Sequence, residues 1–141
     1  MQIQHAILLP PTALVLLTGV VFVRLYRDRL AELRARRIHP QTVATAKQMQ
    51  DTLQNVAAAD NFRNLFEAPV MFYALCGFLA ITQLTTLLLL ACAWGYVALR
   101  IAHSYVHLTS NQVIRRFQLF LASSLVLYVM WALFAVRLLT A

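Results

Sequence analysis

Long apolar stretches dominate the pattern of hydrophobic and polar positions along the chain. Residues 6–23 run for 18 positions without a charge, residues 68–99 for 32 and residues 117–136 for 20. A helix needs about 20 residues to cross roughly 30 Å of hydrocarbon. The first and last stretches therefore predict membrane-spanning helices, and the middle stretch needs a separate argument.

The middle stretch carries a polar waist at residues 81–86, whose sequence is ITQLTT. Such a waist favours a turn, and the alternative is one very long helix, since no Pro or Gly marks the turn. A turn leaves about 14 uncharged positions in each arm, too few for a full span. Each arm must then extend through the polar residues on its outer flank. The predicted spans are about residues 6–27, 62–82, 85–106 and 116–138.

The polar residues that flank the middle stretch pair by position if the stretch folds back at its waist. In three pairs the two position numbers have the same sum: Glu67 with Arg100, Asn64 with His103, and Asp60 with His107. The pairs are then expected at one depth, inside the last turns of two spans. Ionisable groups within a membrane are costly and usually functional. The pairing therefore predicts a site.

Composition agrees with a membrane protein. The chain has 141 residues, which predicts a single domain over residues 1–141, and 61% of them are hydrophobic against 12% charged. The first stretch lacks the basic start and the small-residue cleavage site of a signal peptide, and Pro10 and Pro11 come early in it. It is expected to be retained as the first transmembrane helix.

The distribution of basic residues predicts the orientation. Of 12 Lys and Arg residues, eight lie in residues 24–63 and three in residues 100–116, and only Arg137 lies on the other side. The positive-inside rule then places the basic loop at about residues 28–61, and the polar pairs, in the cytosol, with both termini outside. Anionic lipid headgroups account for the basic charge, and no nucleic-acid partner is expected. Residues 40–59 predict a cytosolic helix that runs into the second span.

The chemistry of the polar pairs suits a small zwitterionic ligand, because arginine binds carboxylates, Glu binds an ammonium group and Asn serves both. Pro69 is expected to kink the second helix and open space there. One alternative is a structural Glu67–Arg100 ion pair with the histidines facing headgroups. Another is a metal site of His103, His107 and Glu67, but the nearby arginines repel a cation, so no metal ligand is assigned.

Two segments resemble the MAPEG family, the membrane-associated proteins in eicosanoid and glutathione metabolism. They are DNFRNLFEAPVMFYAL, with its RN-x-x-E block, and WGYVALRIAHSYVHLTSNQVIRRF, with R-x-x-H. The resemblance is greatest to the short bacterial members, and it implies an all-α four-helix bundle, a homotrimer and a location in a bacterial inner membrane. Glutathione is implied as co-substrate between subunits at the cytosolic face. A lipophilic substrate would enter from the bilayer.

The resemblance implies glutathione contacts from all four helices. The residues are Arg24 or Arg27 on the first helix, Arg63, Asn64 and Glu67 on the second, and His103 and His107 on the third. Arg100, placed opposite Glu67 by the hairpin, joins these binding candidates. On the fourth helix Arg116, or less favourably Arg115, is implied to stabilise the thiolate, since a thiol needs nearby cationic charge to ionise at neutral pH.

Four positions depart from the pattern of the animal members. Asp60 replaces an arginine, His107 a tyrosine, and Phe117 and Phe120 stand where a serine or tyrosine follows the fourth-helix arginine. These departures affect the substrate inference more than the fold. The first functional hypothesis is a glutathione-dependent transferase or peroxidase for detoxification of lipophilic electrophiles or hydroperoxides. The second is a non-catalytic protein whose polar cluster is structural or binds another small ligand, a headgroup or a metal.

Overall fold

The computed structural model describes residues 3–140. Four helical segments in it are long and apolar enough to cross a membrane, namely Ile3–Ala35, Ala57–Thr82, Leu87–Leu108 and Val113–Thr140. No strand occurs within this described range. The expected all-α membrane protein with four spans is confirmed, and each helical segment extends past the predicted span.

The first span consists of a short helix α1 (Ile3–Ala6) and a long helix α2 (Leu9–Ala35). Pro10 lies in the first turn of α2, where the missing amide hydrogen costs no helical bond. Leu14 and Val21 are fully buried in the bundle, whereas Leu16 and Val20 are exposed. The apolar exposed face suits lipid.

The connection between the first two spans is more broken than the sequence suggested. A 3-10 helix (Pro40–Val43) is followed by α3 (Ala46–Thr52) and α4 (Ala57–Asn64). The expectation of one helix over residues 40–59 is wrong. Thr45 starts α3 with a capping box, and Leu53 ends it in an extended conformation.

A cluster of hydrogen bonds ties this connection to the end of α2. The carboxylate of Glu32 accepts from the backbone N–H groups of Gln54 (2.7 Å) and Asn55 (3.1 Å), and from Arg36 Nη1 (2.8 Å). Arg36 also donates to the carbonyl oxygen of Thr52 at 2.6 Å. Charge-assisted bonds of this kind are stronger than neutral ones. The cluster therefore fixes where the chain enters α4.

Replacement of Glu32 by alanine is expected to release that connection. The amides of Gln54 and Asn55 lose their acceptor, and their hydrogen exchange should become about tenfold faster, since a hydrogen bond to a charged group contributes about 1.5 kcal/mol or more. Hydrogen-exchange mass spectrometry of peptides covering residues 50–58 measures this. Arg34→Ala is the matched control. It removes a charge from the last turn of α2 but removes no hydrogen bond to the connection. Equal exchange in both variants would contradict the interpretation.

The hairpin turn predicted at the polar waist is confirmed. Helix α5 (Ala68–Thr82) ends at Gln83, whose backbone is left-handed with φ 57°. The hydroxyl of Thr86 then accepts from the backbone N–H of Leu89 at 3.2 Å and begins α6 (Leu87–Leu108). The Thr86 cap marks the start of α6, so the turn forms without a Pro or Gly.

The second span is broken just before Pro69, as the proline predicted. Helix α4 ends at Asn64, α5 begins at Ala68, and Pro69 lies in the first turn of α5. Proline supplies no amide hydrogen and excludes a continuous helix through the preceding residues. The break leaves the backbone carbonyl of Asn64 available to another partner.

Helix α7 (Val113–Thr140) packs along α6, and α2 contacts α4 and α6. Between α5 and α6, the rings of Phe72 and Tyr96 stack with centroids 4.4 Å apart, and both side chains are fully buried. Tyr96 is one helical turn before Arg100, so this contact sets the depth of α6 against the break in the second span.

Candidate functional site

A cavity of about 260 Å³ opens where the broken second span, the end of α6 and the start of α7 meet. It is lined by Asn64, Glu67, His103, Val113, Arg116, Phe117 and Phe120. Four of these residues are polar and belong to the sequence-predicted site. The other three form an apolar wall on α7.

The helix break presents the two cavity residues of the second span. Asn64 is the last residue of α4, and Glu67 precedes the first residue of α5 with a non-helical backbone. Residues three positions apart share a face of a helix, and Asn64 and Glu67 still line one cavity across the break.

His103 is held by a bond to α7. Its Nδ1 lies 3.1 Å from the carbonyl oxygen of Arg116, and a carbonyl oxygen only accepts, so Nδ1 is the donor. The Nε2 atom therefore carries no proton in the neutral ring. It is buried and has no hydrogen-bond partner among residues 3–140, so it is an unused acceptor next to the cavity that the His103 ring lines.

Arg116, and not Arg115, lines the cavity. The backbone of Arg116 binds His103, and its Nη1 donates to the side-chain oxygen of Asn111. Asn111 has a left-handed backbone, φ 48°, in the turn between α6 and α7. That turn orients the guanidinium towards the cavity, whereas Arg115 is exposed on another face. Of the two arginines that the sequence left open, Arg116 is the one that lines the cavity.

Arg100 lies behind the cavity wall and is fully buried. Its Nη2 donates to the carbonyl oxygen of Asn64 at 2.7 Å, and its Cζ lies 5.9 Å from the ring centroid of Phe120. The ion pair with Glu67, which the sequence left open as a structural alternative, is not formed within the described residues. The break in the second span supplies a free carbonyl three residues earlier, and the guanidinium binds that carbonyl instead.

Sequence reasoning missed a second polar contact between these helices. Asn61 is fully buried, and its side-chain oxygen accepts from the hydroxyl of Ser104 at 3.2 Å. Asn61 comes one turn before Asn64, and Ser104 one turn after Arg100. Their helical spacing was the signal that could have identified them. The observed pairs place α4 two to three residues out of the register that the constant sum predicted.

The other sequence-predicted residues lie outside this cavity. Arg24 binds Asp28 at 2.9 Å, and both Arg24 and Arg27 are exposed on α2. Arg63 pairs with Asp60 at 3.8 Å and lines a separate cavity of about 60 Å³ next to α3. The side chain of His107 is buried, and neither ring nitrogen has a partner within residues 3–140.

The metal alternative receives no geometric support in the part of the chain that the structure describes. Within it, no three His, Cys, Asp or Glu side chains lie together in a group that could hold a metal ion. The rings of His103 and His107 have centroids 5.8 Å apart, in an edge-to-face arrangement.

Comparison with known protein families gives one result. The model of the MAPEG family matches residues 7–136. No curated protein and no solved structure matches the chain. The match covers the second and third membrane-spanning segments, nearly all of the first and fourth, and every residue of the cavity.

Proposed function

Since the chain belongs to the MAPEG family, we propose that it is a membrane-bound, glutathione-dependent transferase or peroxidase that acts on lipophilic electrophiles or hydroperoxides. The family includes glutathione transferases and peroxidases. The observation that carries the proposal is the convergence of Asn64, Glu67, His103 and Arg116 on one cavity beside an apolar wall.

The charges of the cavity complement glutathione. The tripeptide carries an ammonium group, two carboxylates and a thiol. Glu67 offers a carboxylate for the ammonium, Asn64 offers both a donor and an acceptor, and Arg116 offers a cation in the cavity that His103 also lines. A cation beside the thiol favours its ionised form, which is the nucleophile.

The apolar wall suits the second substrate. Phe117 is 63% exposed at the start of α7, and Val113 is 70% exposed. Exposed apolar side chains beside a polar cavity in a membrane protein offer a route for a lipophilic molecule from the bilayer. The thiolate would attack the electrophile and form a thioether. With a hydroperoxide, two glutathione molecules would be oxidised to the disulfide while the hydroperoxide is reduced to an alcohol and water.

A homotrimer is part of the proposal, because Arg24 and Arg27, two of the expected glutathione contacts, do not line the cavity of about 260 Å³ in their own chain. In a trimer they would contact glutathione in the cavity of a neighbouring copy. We further propose that the cavity faces the cytosol of a bacterial inner membrane, which agrees with the basic residues near it.

Ultraviolet difference spectroscopy on the purified full chain tests the proposal. Addition of glutathione at neutral pH should produce the absorbance of a bound thiolate, and the melting temperature should rise because the ligand binds the folded state. S-methylglutathione is the matched control, since it retains both carboxylates and the ammonium group but has no ionisable thiol. Absence of both the absorbance and the thermal shift would overturn the proposal.

A non-catalytic protein is the second candidate, favoured by one observation. Arg63 is turned away from the cavity and paired with Asp60, where the animal members carry a further arginine. With fewer cations at the cavity, the polar cluster would hold the helices together or bind another small ligand. A thermal shift with glutathione but no thiolate absorbance would support this second candidate.

A further inference from the structure

Arg100 is a buried cation with unused hydrogen-bonding capacity. It is the largest of the fully buried side chains in the described residues. Only Nη2 is bonded, to the carbonyl oxygen of Asn64, and the Nε and Nη1 atoms are buried without partners within residues 3–140. No carboxylate pairs with it in that range. A buried cation without a counter-ion is costly, and such groups in membrane bundles are typical of ligand sites.

Neither unused donor is reachable from outside the chain as it stands. Both atoms are buried within the chain. Three cavity residues lie near Arg100: Asn64 through its bonded carbonyl, Phe120 through its ring, and His103 one turn further along α6. A ligand in the cavity would reach the donors by displacing one of these side chains.

Phe120 is the part of the wall that is free to move. The backbone of Asn64 is held by Arg100 itself, and His103 is held by the carbonyl of Arg116. The Phe120 ring makes no hydrogen bond, is only partly buried, and lies over the guanidinium and 6.3 Å from the His103 ring. Displacement of this ring would extend the cavity towards Arg100, because the ring lines the cavity and lies over the guanidinium.

We propose that Arg100 forms a carboxylate-binding subsite behind the cavity, and that the Phe120 ring closes it until a carboxylate displaces the ring. A guanidinium binds carboxylates through directed N–H donors, and two of its nitrogens are available here. The carboxylate comes either from glutathione or from an amphipathic second substrate. If the carboxylate belongs to glutathione, the subsite rests on the proposed function. If it belongs to an amphipathic second substrate, the subsite does not depend on glutathione.

Chemical modification of arginine by phenylglyoxal tests the closure without any ligand. In the detergent-solubilised full chain, peptide mass spectrometry should find Arg100 protected while the exposed Arg115 reacts. Phe120→Ala should speed modification of Arg100 by about tenfold or more, and Phe120→Leu should do so less, because both increase the open fraction. Modification of Arg115 should stay unchanged in both variants.

Phe117→Ala is the matched control, since Phe117 lines the same cavity on α7 but makes no aromatic contact with Arg100. It should leave Arg100 protected. The closure by Phe120 is wrong if Arg100 stays unreactive in both Phe120 variants, or if Phe117→Ala exposes it equally. A thermal unfolding curve for each variant shows that the folded protein is being measured.

Ligand protection in Phe120→Ala identifies the source of the carboxylate. Glutathione and dodecanoate are tested separately, and dodecanol has the same chain as dodecanoate without its charge. A carboxylate that binds Arg100 should slow its modification about tenfold. Protection by either acid supports the subsite and names its source. Protection by neither acid, or equal protection by dodecanol, overturns it. If glutathione does not bind at all, the proposed function fails, while the dodecanoate result still decides the subsite.

Discussion

Replacement of Arg116 by alanine is expected to lower glutathione-dependent turnover about 100-fold or more and to abolish the absorbance of the bound thiolate. The structure turns this guanidinium towards the cavity and leaves its Nε without a hydrogen-bond partner in the described residues. Removal of one preorganised donor from a developing anion commonly costs 10² to 10³ in rate, about 2.7 to 4 kcal/mol. The measurement is conjugation of a chromogenic electrophile, together with the ultraviolet difference spectrum.

Two further variants show that the effect comes from the position of the charge. Arg115→Ala removes the same charge from the adjacent, exposed residue and should leave both signals near the native level. Arg116→Lys retains a cation but not the geometry of the guanidinium, so it should recover part of the absorbance. If Arg115→Ala and Arg116→Ala lose activity equally, the net charge at the end of the bundle, and not Arg116, stabilises the thiolate.

The sequence predicted the fold well because its signals are physically strong. A membrane requires about 20 residues per span, so the lengths of the apolar stretches predict the four spans. A proline interrupts the hydrogen bonds of a helix, so the position of Pro69 predicts the break. The turn at Gln83 was less secure, because the left-handed residue is not a glycine. The connection before α4 was mispredicted, since its bonds to Glu32 come from a residue more than 20 positions away.

The sequence predicted which residues form the site better than it predicted which atoms those residues contact. A constant-sum pairing assumes two unbroken helices, and the break between Asn64 and Ala68 violates that assumption. Arg100 therefore binds a backbone carbonyl, which no pattern of side chains reveals. Phe120 was read as a departure from a family pattern, and its position over Arg100 depends on the packing of α7 against α6.

Replacement of Phe72 by alanine is expected to destabilise the folded protein by about 2 kcal/mol. Core Phe→Ala changes in soluble proteins cost about 3 to 5 kcal/mol, but the share due to transfer from water is small in lipid, and the lost packing remains. Phe72 is fully buried and stacks on Tyr96 with centroids 4.4 Å apart. Unfolding in mixed micelles, followed by circular dichroism, measures the free energy of unfolding.

The same substitution is expected to weaken the site, because the stack lies one turn below Arg100 and sets the depth of α5 against α6. A slip between these helices would lengthen the 2.7 Å bond from Arg100 to the Asn64 carbonyl, and Arg100 should then become more reactive towards phenylglyoxal. Met71→Ala is the matched control, since Met71 is adjacent on α5 but 45% exposed. It should change the free energy of unfolding by less than about 1 kcal/mol. Equal losses in the two variants would mean that the stack does not align α5 with α6.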